Sequence, residues 1–255
     1  MILGLEFPPV SHLVEWPDFL FENTPFAVNK VVLLMWISAI IAFGIFWLAG
    51  RQSSLVPTGL QNVAEAIVDF VRDSIIMQTI GPDGLYWMPF LLSMFTFIFI
   101  GNLWEVVPFA QMPANGRIAF PAFLAVVVWF IYNYIGIRHQ GLGGYFKNMA
   151  FPPGVPKPIY IIVTPIEVVS ALITQPFALA VRLFANMLAG HLLLVTFAII
   201  TAEVLAPKVT AIIAPFSFAL LVGLTGFEVL VAVLQAFIYT ILTAVYIGRA
   251  MHPEH

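Results

Sequence analysis

The chain repeats apolar runs of about 20 residues, nearly free of charge, and such runs have room to settle only inside a bilayer. At 1.5 Å per residue each run crosses the roughly 30 Å of hydrocarbon as a helix with every backbone group satisfied internally. Only 9% of the 255 residues are charged and 61% are hydrophobic. Soluble domains carry about a quarter charged residues, so this chain lacks the polar surface to clothe so many apolar helices in water. The runs are continuously apolar rather than alternating, which excludes a β-barrel. The sequence therefore predicts an all-α polytopic membrane protein, a single membrane domain over residues 1–255. Cysteine is absent, which removes disulfides, thiolate metal sites and cysteine nucleophiles. No metal site and no cofactor is expected, and a net charge of −3 is too small to imply nucleic acid.

Residues 1–27 carry Glu6, Glu15, Asp18 and Glu22 but neither Lys nor Arg. They have no basic leader and do not read as a cleaved signal peptide. The first span is expected over 31–50. Residues 57–79 differ in kind: Val63, Ile67, Phe70, Val71 and Ile75 recur at helical spacing while Glu65, Asp69, Arg72 and Asp73 fill the rest. That pattern suits a helix lying in the interface, or an amphipathic connector. A Gly81-Pro82-Asp83-Gly84 turn leads to the second span over 87–107, whose end carries Asn102 and Glu105 on one face. Such a carboxylate either snorkels to the interface or lines a wet vestibule. The third span is expected over 120–137, stopped by Arg138-His139-Gln140, and 140–159 is rich in Gly and Pro. Two segments of about twice normal length, 160–205 and 209–248, close the chain.

Basic residues fix an orientation. Arg51, Arg72, Arg138, Lys147, Lys157 and Arg249 fall on one side of this path, against Lys30, Arg117 and Lys208 on the other. The richer side faces the cytoplasm or matrix, which places the N-terminus outside and the C-terminus inside.

The long segments hold the costly residues. Arg182, Asn186 and His191 stand inside an apolar run, and a charge at a helix centre costs about 3 kcal/mol on insertion scales. Each segment either folds back as two spans or crosses strongly tilted; 177–205 contains no break, which favours a tilted helix. In an antiparallel hairpin, residues at one level share an index sum. Arg182 with Gln235 gives 417 and His191 with Glu228 gives 419, both centring the turn near 209, where Ala206-Pro207-Lys208 stands. At about 100° per residue, Ala178, Ala185, Asn186 and Ala189 lie within roughly 60° of Arg182, and His191 lies about 180° away. Arg182 thus sits in a stripe of small residues, read as ordinary close helix packing or as a smooth surface past which another helix moves. His191 level with Glu228 makes a candidate proton relay, since both groups titrate near neutral pH when so placed. Ser170, Thr174 and Gln175, with Glu167 above them, form a second polar strip. It offers either an aqueous path or mere backbone bonding.

The stretches PFALAVRLFANMLAGHLLL (176–194), LQAFIYTILTAVYI (234–247) and GNLWEVVP (101–108) together resemble the signature of subunit a of the rotary ATP synthase membrane sector. The resemblance covers most of the chain. It implies that Arg182 faces a ring of carboxylate-bearing two-helix c subunits across the stripe of Ala178, Ala185 and Ala189. There it keeps each passing ring carboxylate ionised and blocks direct leakage. Asn186, His191, Glu228 and Gln235 then line or support an outer half-channel with Asn102 and Glu105 near its mouth, and the inner half-channel opens near Ser170, Thr174 and Gln175. Implied further are b-type peripheral stalk partners, no nucleotide site in this chain, and a bacterial plasma (inner) membrane or its mitochondrial or organelle equivalent. Departures stand beside the match. Some members carry the acid and the imidazole the other way round, Glu167 stands about one residue from the usual glutamate, and Ala185 replaces a frequent glycine.

Two other readings compete. A stand-alone proton-coupled transporter usually shows internal repeats and broken helices in paired halves, and neither is found. An intramembrane hydrolase built on Ser170 and His191 has no nucleophile motif, and these two lie about six turns apart on one helix.

Overall fold

The computed structural model describes residues 18–21, 24, 27–51, 54–107, 110–112, 115–151, 156–205 and 214–252. The anticipated Ala206-Pro207-Lys208 turn, Pro108 and most of the N-terminal segment lie outside the described residues.

Among the described residues the chain is helical throughout, apart from a lone bridge between Leu20 and Val28. Helix α1 spans Lys30–Arg51. Helix α2 begins as Leu60–Val71 and continues through a π turn, Arg72–Ile76, to Met77–Thr79. A 3₁₀ turn over Pro82–Trp87 leads into α3, Met88–Leu103. Helix α4 covers Ala119–Ala150 and α5 covers Tyr160–Val169. A second π turn, Ser170–Thr174, joins α5 to α6, Gln175–Leu205, and α7 is Ala214–Met251. Five stretches among the described residues are long and apolar enough to cross a membrane: Lys30–Arg51, Pro82–Leu103, Ala119–Ala150, Tyr160–Ala202 and Ala214–Met251. Helix α2 is the amphipathic exception. It buries Gln61, Ala64, Val71, Ile75 and Ile76 and exposes Glu65, Asp69 and Asp73. The Arg72 guanidinium, hydrogen-bonded to Asp73 at 2.7 Å, holds that exposed carboxyl below the usual range.

The chain divides into two compact units. The first comprises residues 1–42, 97–117 and 184–236. Here Trp104 donates its indole N–H to Ser38 at 2.7 Å, and Ser38 turns its own hydroxyl back to the Leu34 carbonyl. That uses both groups inside an apolar surround. Helices α6 and α7 run antiparallel in this unit. Thr201 and Ser217 share a hydrogen bond of 2.8 Å, and Gly190 abuts Glu228. Both pairs have an index sum of 418, between the two sums expected from the sequence.

The second unit comprises residues 43–96, 118–183 and 237–255. Phe70 of α2 packs its ring 5.5 Å from Phe95 and 5.7 Å from Phe237, holding α2 to α3 and α7. The end of α7 reaches the turn after α2, where His252 stands 3.5 Å from Asp83. Helix α4 outlasts the stop expected at Arg138. It breaks at Gly141 (φ 73°, ψ 159°), a conformation closed to side chains, and a short arm then continues to Ala150. The arm is tied back by Tyr145 donating to Asn133 at 2.8 Å and Asn148 donating to Gln140 at 2.9 Å. Gln140 in turn donates to the Ala250 carbonyl of α7.

Candidate functional site

Helix α6 carries the decisive side chains, and its burial follows the period of a helix. Leu179, Leu183 and Met187 form a fully buried ridge at spacings of four, and Gly190 and His191 continue it. Ala185, Asn186 and Ala189 are exposed, and Ala178 and Arg182 are half-buried. The stripe of small residues around Arg182 is therefore open, whereas His191 is buried at 7% exposure. Among the described residues Arg182 forms no ion pair.

In the first unit, α7 brings Glu228 against α6 at its glycine. A Cβ on Gly190 would stand 2.5 Å from one Glu228 carboxylate oxygen and 2.8 Å from the other. Only glycine leaves room there, and His191 is the next residue. Glu228 is 3% exposed, and Glu105, in the same unit, is also buried. Glu105 stands in the turn after α3, and Asn102 is in the last turn of that helix. Asn115, from the loop before α4, donates its amide to Asn102 at 2.5 Å. Both asparagines are at most 1% exposed.

Four side-chain atoms here are buried without a hydrogen-bond partner: one oxygen each of Glu105 and Glu228, the Asn102 amide nitrogen and the Asn115 amide oxygen. Folded chains leave few such groups, because each costs about 1–3 kcal/mol. Four within one unit mark a polar interior instead of a packed apolar core. Carboxylates and an imidazole in such an interior have the chemistry to accept and release protons. Gln235, also in this unit, is buried at 4% exposure.

The second unit holds Arg182 and the other polar strip. Arg182 and Tyr246 both belong to this unit. The Tyr246 ring lies 5.6 Å from that of Tyr132, tilted by 55°, and the Tyr132 hydroxyl donates to the Ala171 carbonyl at 2.7 Å. Ser170 and Thr174 bound the π turn, Gln175 opens α6, and Glu167 is exposed on α5. Thr174 makes only a long contact, 3.5 Å, to the Val169 carbonyl. The two units thus hold the anticipated residues in two groups: Asn102, Glu105, Asn186, His191, Glu228 and Gln235 with Ala185 and Ala189 in one, and Glu167, Ser170, Thr174, Gln175, Ala178 and Arg182 in the other.

Asn115 and Tyr132 escaped the sequence reading. Asn115 stands in a short loop, where asparagine ordinarily signals a turn. Tyr132 sits in an apolar span, where tyrosine ordinarily signals an interface. Each earns its place through a contact distant in sequence.

Comparison with known proteins agrees with the helix pattern. The family described as ATP synthase A chain matches residues 32–248. The ATP synthase subunit a of Frankia alni is 43% identical over 99% of this chain and 88% of its own length. That of a Parafrankia strain is 44% identical over 96% of this chain and 83% of its own. A more distant one, from Chloroherpeton thalassium, is 36% identical over 98% of this chain and 74% of its own. With five apolar helices, a match over nearly its whole length and these identities, the chain belongs to the ATP synthase subunit a family.

Proposed function

We propose that this chain is the stator subunit of the ATP synthase membrane sector, coupling transmembrane proton flow to rotation of a ring of carboxylate-bearing c subunits. The observation that carries this reading is the two-sided burial of α6: Arg182 lies in an open stripe of small residues, while His191 is buried next in sequence to the glycine that the Glu228 carboxylate meets. Small residues let a neighbouring helix approach closely. A half-buried guanidinium with no ion pair among the described residues suits a carboxylate arriving from a partner.

A proton enters from outside past Asn102 and Glu105, passes the His191/Glu228 pair with Asn186 and Gln235 in support, and neutralises a ring carboxylate. The neutral acid then turns through lipid without the cost of a buried charge. After nearly a full turn it meets the inner half-channel near Ser170, Thr174 and Gln175, with Glu167 at its inner end. There it loses its proton, and Arg182 holds the resulting carboxylate ionised. Arg182 also repels any proton passing directly between the half-channels. Each charge moved is worth about 2.3 kcal/mol per 100 mV, so several must pass for each ATP made. The chain is not an enzyme by itself; nucleotide chemistry belongs to partner subunits. A b-type peripheral stalk holds it against the ring's torque. It sits in a bacterial plasma membrane with the N-terminus outside and the C-terminus in the cytoplasm.

Because the chain contains no cysteine, cross-linking tests the facing directly. In the whole complex, Ala185→Cys should cross-link to a cysteine on the outer helix of the ring subunit, and Met187→Cys, on the buried ridge, should not. Equal yields from the two positions would defeat the reading.

A further inference from the structure

The π turn between α5 and α6 leaves one backbone carbonyl with no partner in its own helix. Gln175 sends its N–H to the Ser170 carbonyl, five residues back. In a regular α-helix that N–H would serve Ala171. In the π register the donor for Ala171 is instead residue 176, and residue 176 is a proline, which has no N–H. Ala171 thus has no backbone donor: Gln175 is engaged with Ser170, and Pro176 has none to give. Tyr132, buried at 4% exposure on α4, supplies the missing one: its hydroxyl meets the Ala171 carbonyl at 2.7 Å. The same ring lies 5.6 Å from that of Tyr246 on α7.

The π turn has a consequence for facing. It takes one residue more than an α turn, which sets back the phase of everything beyond it by about 100°. Counted as an unbroken α-helix, Ser170 lies about 120° from the direction of Arg182 and Glu167 about 60°. With the π turn these become about 20° and about 40° on the other side. The turn thus gathers Glu167, Ser170 and Arg182 onto one side of the α5–α6 rod.

We propose that Tyr132 is a positioning residue for proton release: its hydroxyl replaces the N–H that Pro176 lacks and so locks the π turn that aligns the inner polar strip with Arg182. This rests on the reading of Arg182 and the inner half-channel given above. Tyr132 acts through the backbone of Ala171 and touches no transferred proton.

The test uses the whole complex in membrane vesicles. Tyr132→Phe keeps the ring against Tyr246 and removes only the hydroxyl; ATP-driven proton pumping should fall by about tenfold, the effect of one lost hydrogen bond in the rate-determining geometry. Pro176→Ala restores an N–H at the position the π register requires, so the Tyr132→Phe/Pro176→Ala double variant should recover most of the lost rate. A tyrosine that served only to fill space would show no such rescue. A cysteine placed at Thr174 in the otherwise cysteine-free chain gives a second readout, and its modification rate from the inner side should change several-fold on Tyr132→Phe and return in the double variant. If Tyr132→Phe prevents assembly, the double variant should restore it. Unchanged pumping in Tyr132→Phe, or a defect untouched by Pro176→Ala, overturns the proposal. Arg182→Ala measured beside them separates the two ideas: if it still pumps, the reading of Arg182 is wrong, and if it is silent while Tyr132→Phe pumps normally, only the positioning role fails.

Discussion

At the residue scale, the polar groups legible in the sequence were those whose presence in lipid is expensive. Arg182, His191, Glu228 and Gln235 stand in otherwise apolar helices, and the cost of placing them there marks them without any structure. Their neighbours were not legible. Nothing local says that Asn115 reaches Asn102, or that Gly190 is a glycine because Glu228 needs its space. The second point is testable. Gly190→Ala adds a methyl where a carboxylate oxygen stands 2.5 Å away. The carboxylate is the flexible end of its side chain, so the complex should assemble while Glu228 swings away from its place against α6. Passive proton flow through membranes stripped of the catalytic sector should drop by about tenfold, the scale of one displaced charged hydrogen-bonding group. An unaltered rate would show that Glu228 has no position to lose.

At the element scale, helical period and index counting carried far. The antiparallel register of α6 and α7 followed from the spacing of their polar residues, and the two contacts seen in the first unit fall between the expected sums. The two-sided character of α6 also followed from its period. Two features were missed. The third span was expected to stop at Arg138-His139-Gln140, yet α4 turns at Gly141 and continues as a helical arm, because Tyr145 and Asn148 find partners earlier in the same helix. The π turn at Ser170–Thr174 was missed because a one-residue change of phase leaves no mark on composition. Gly141 adopts a conformation nearly reserved for glycine, so Gly141→Ala should cost about 1–3 kcal/mol and loosen the arm. Thermal unfolding of the detergent-solubilised membrane sector should register that loss. A midpoint equal to the wild type would mean that the arm is held by its side-chain bonds alone.

At the scale of the whole molecule, the chain is a membrane protein with too few charges for any other setting, and most of those charges lie outside the spans. The exceptions fall in two groups in two compact units, one with Glu228 and one with Arg182. In the proposed function an entry path and an exit path must stay apart if protons are to drive a ring instead of leaking. Arg182 is proposed to keep them apart, and its removal tests the account most directly. ATP-driven proton pumping and passive proton leak should be measured together in vesicles carrying the assembled Arg182→Ala complex. Pumping should vanish, with the leak equal to or above that of the wild type. Pumping that continues at the wild-type rate would contradict the account.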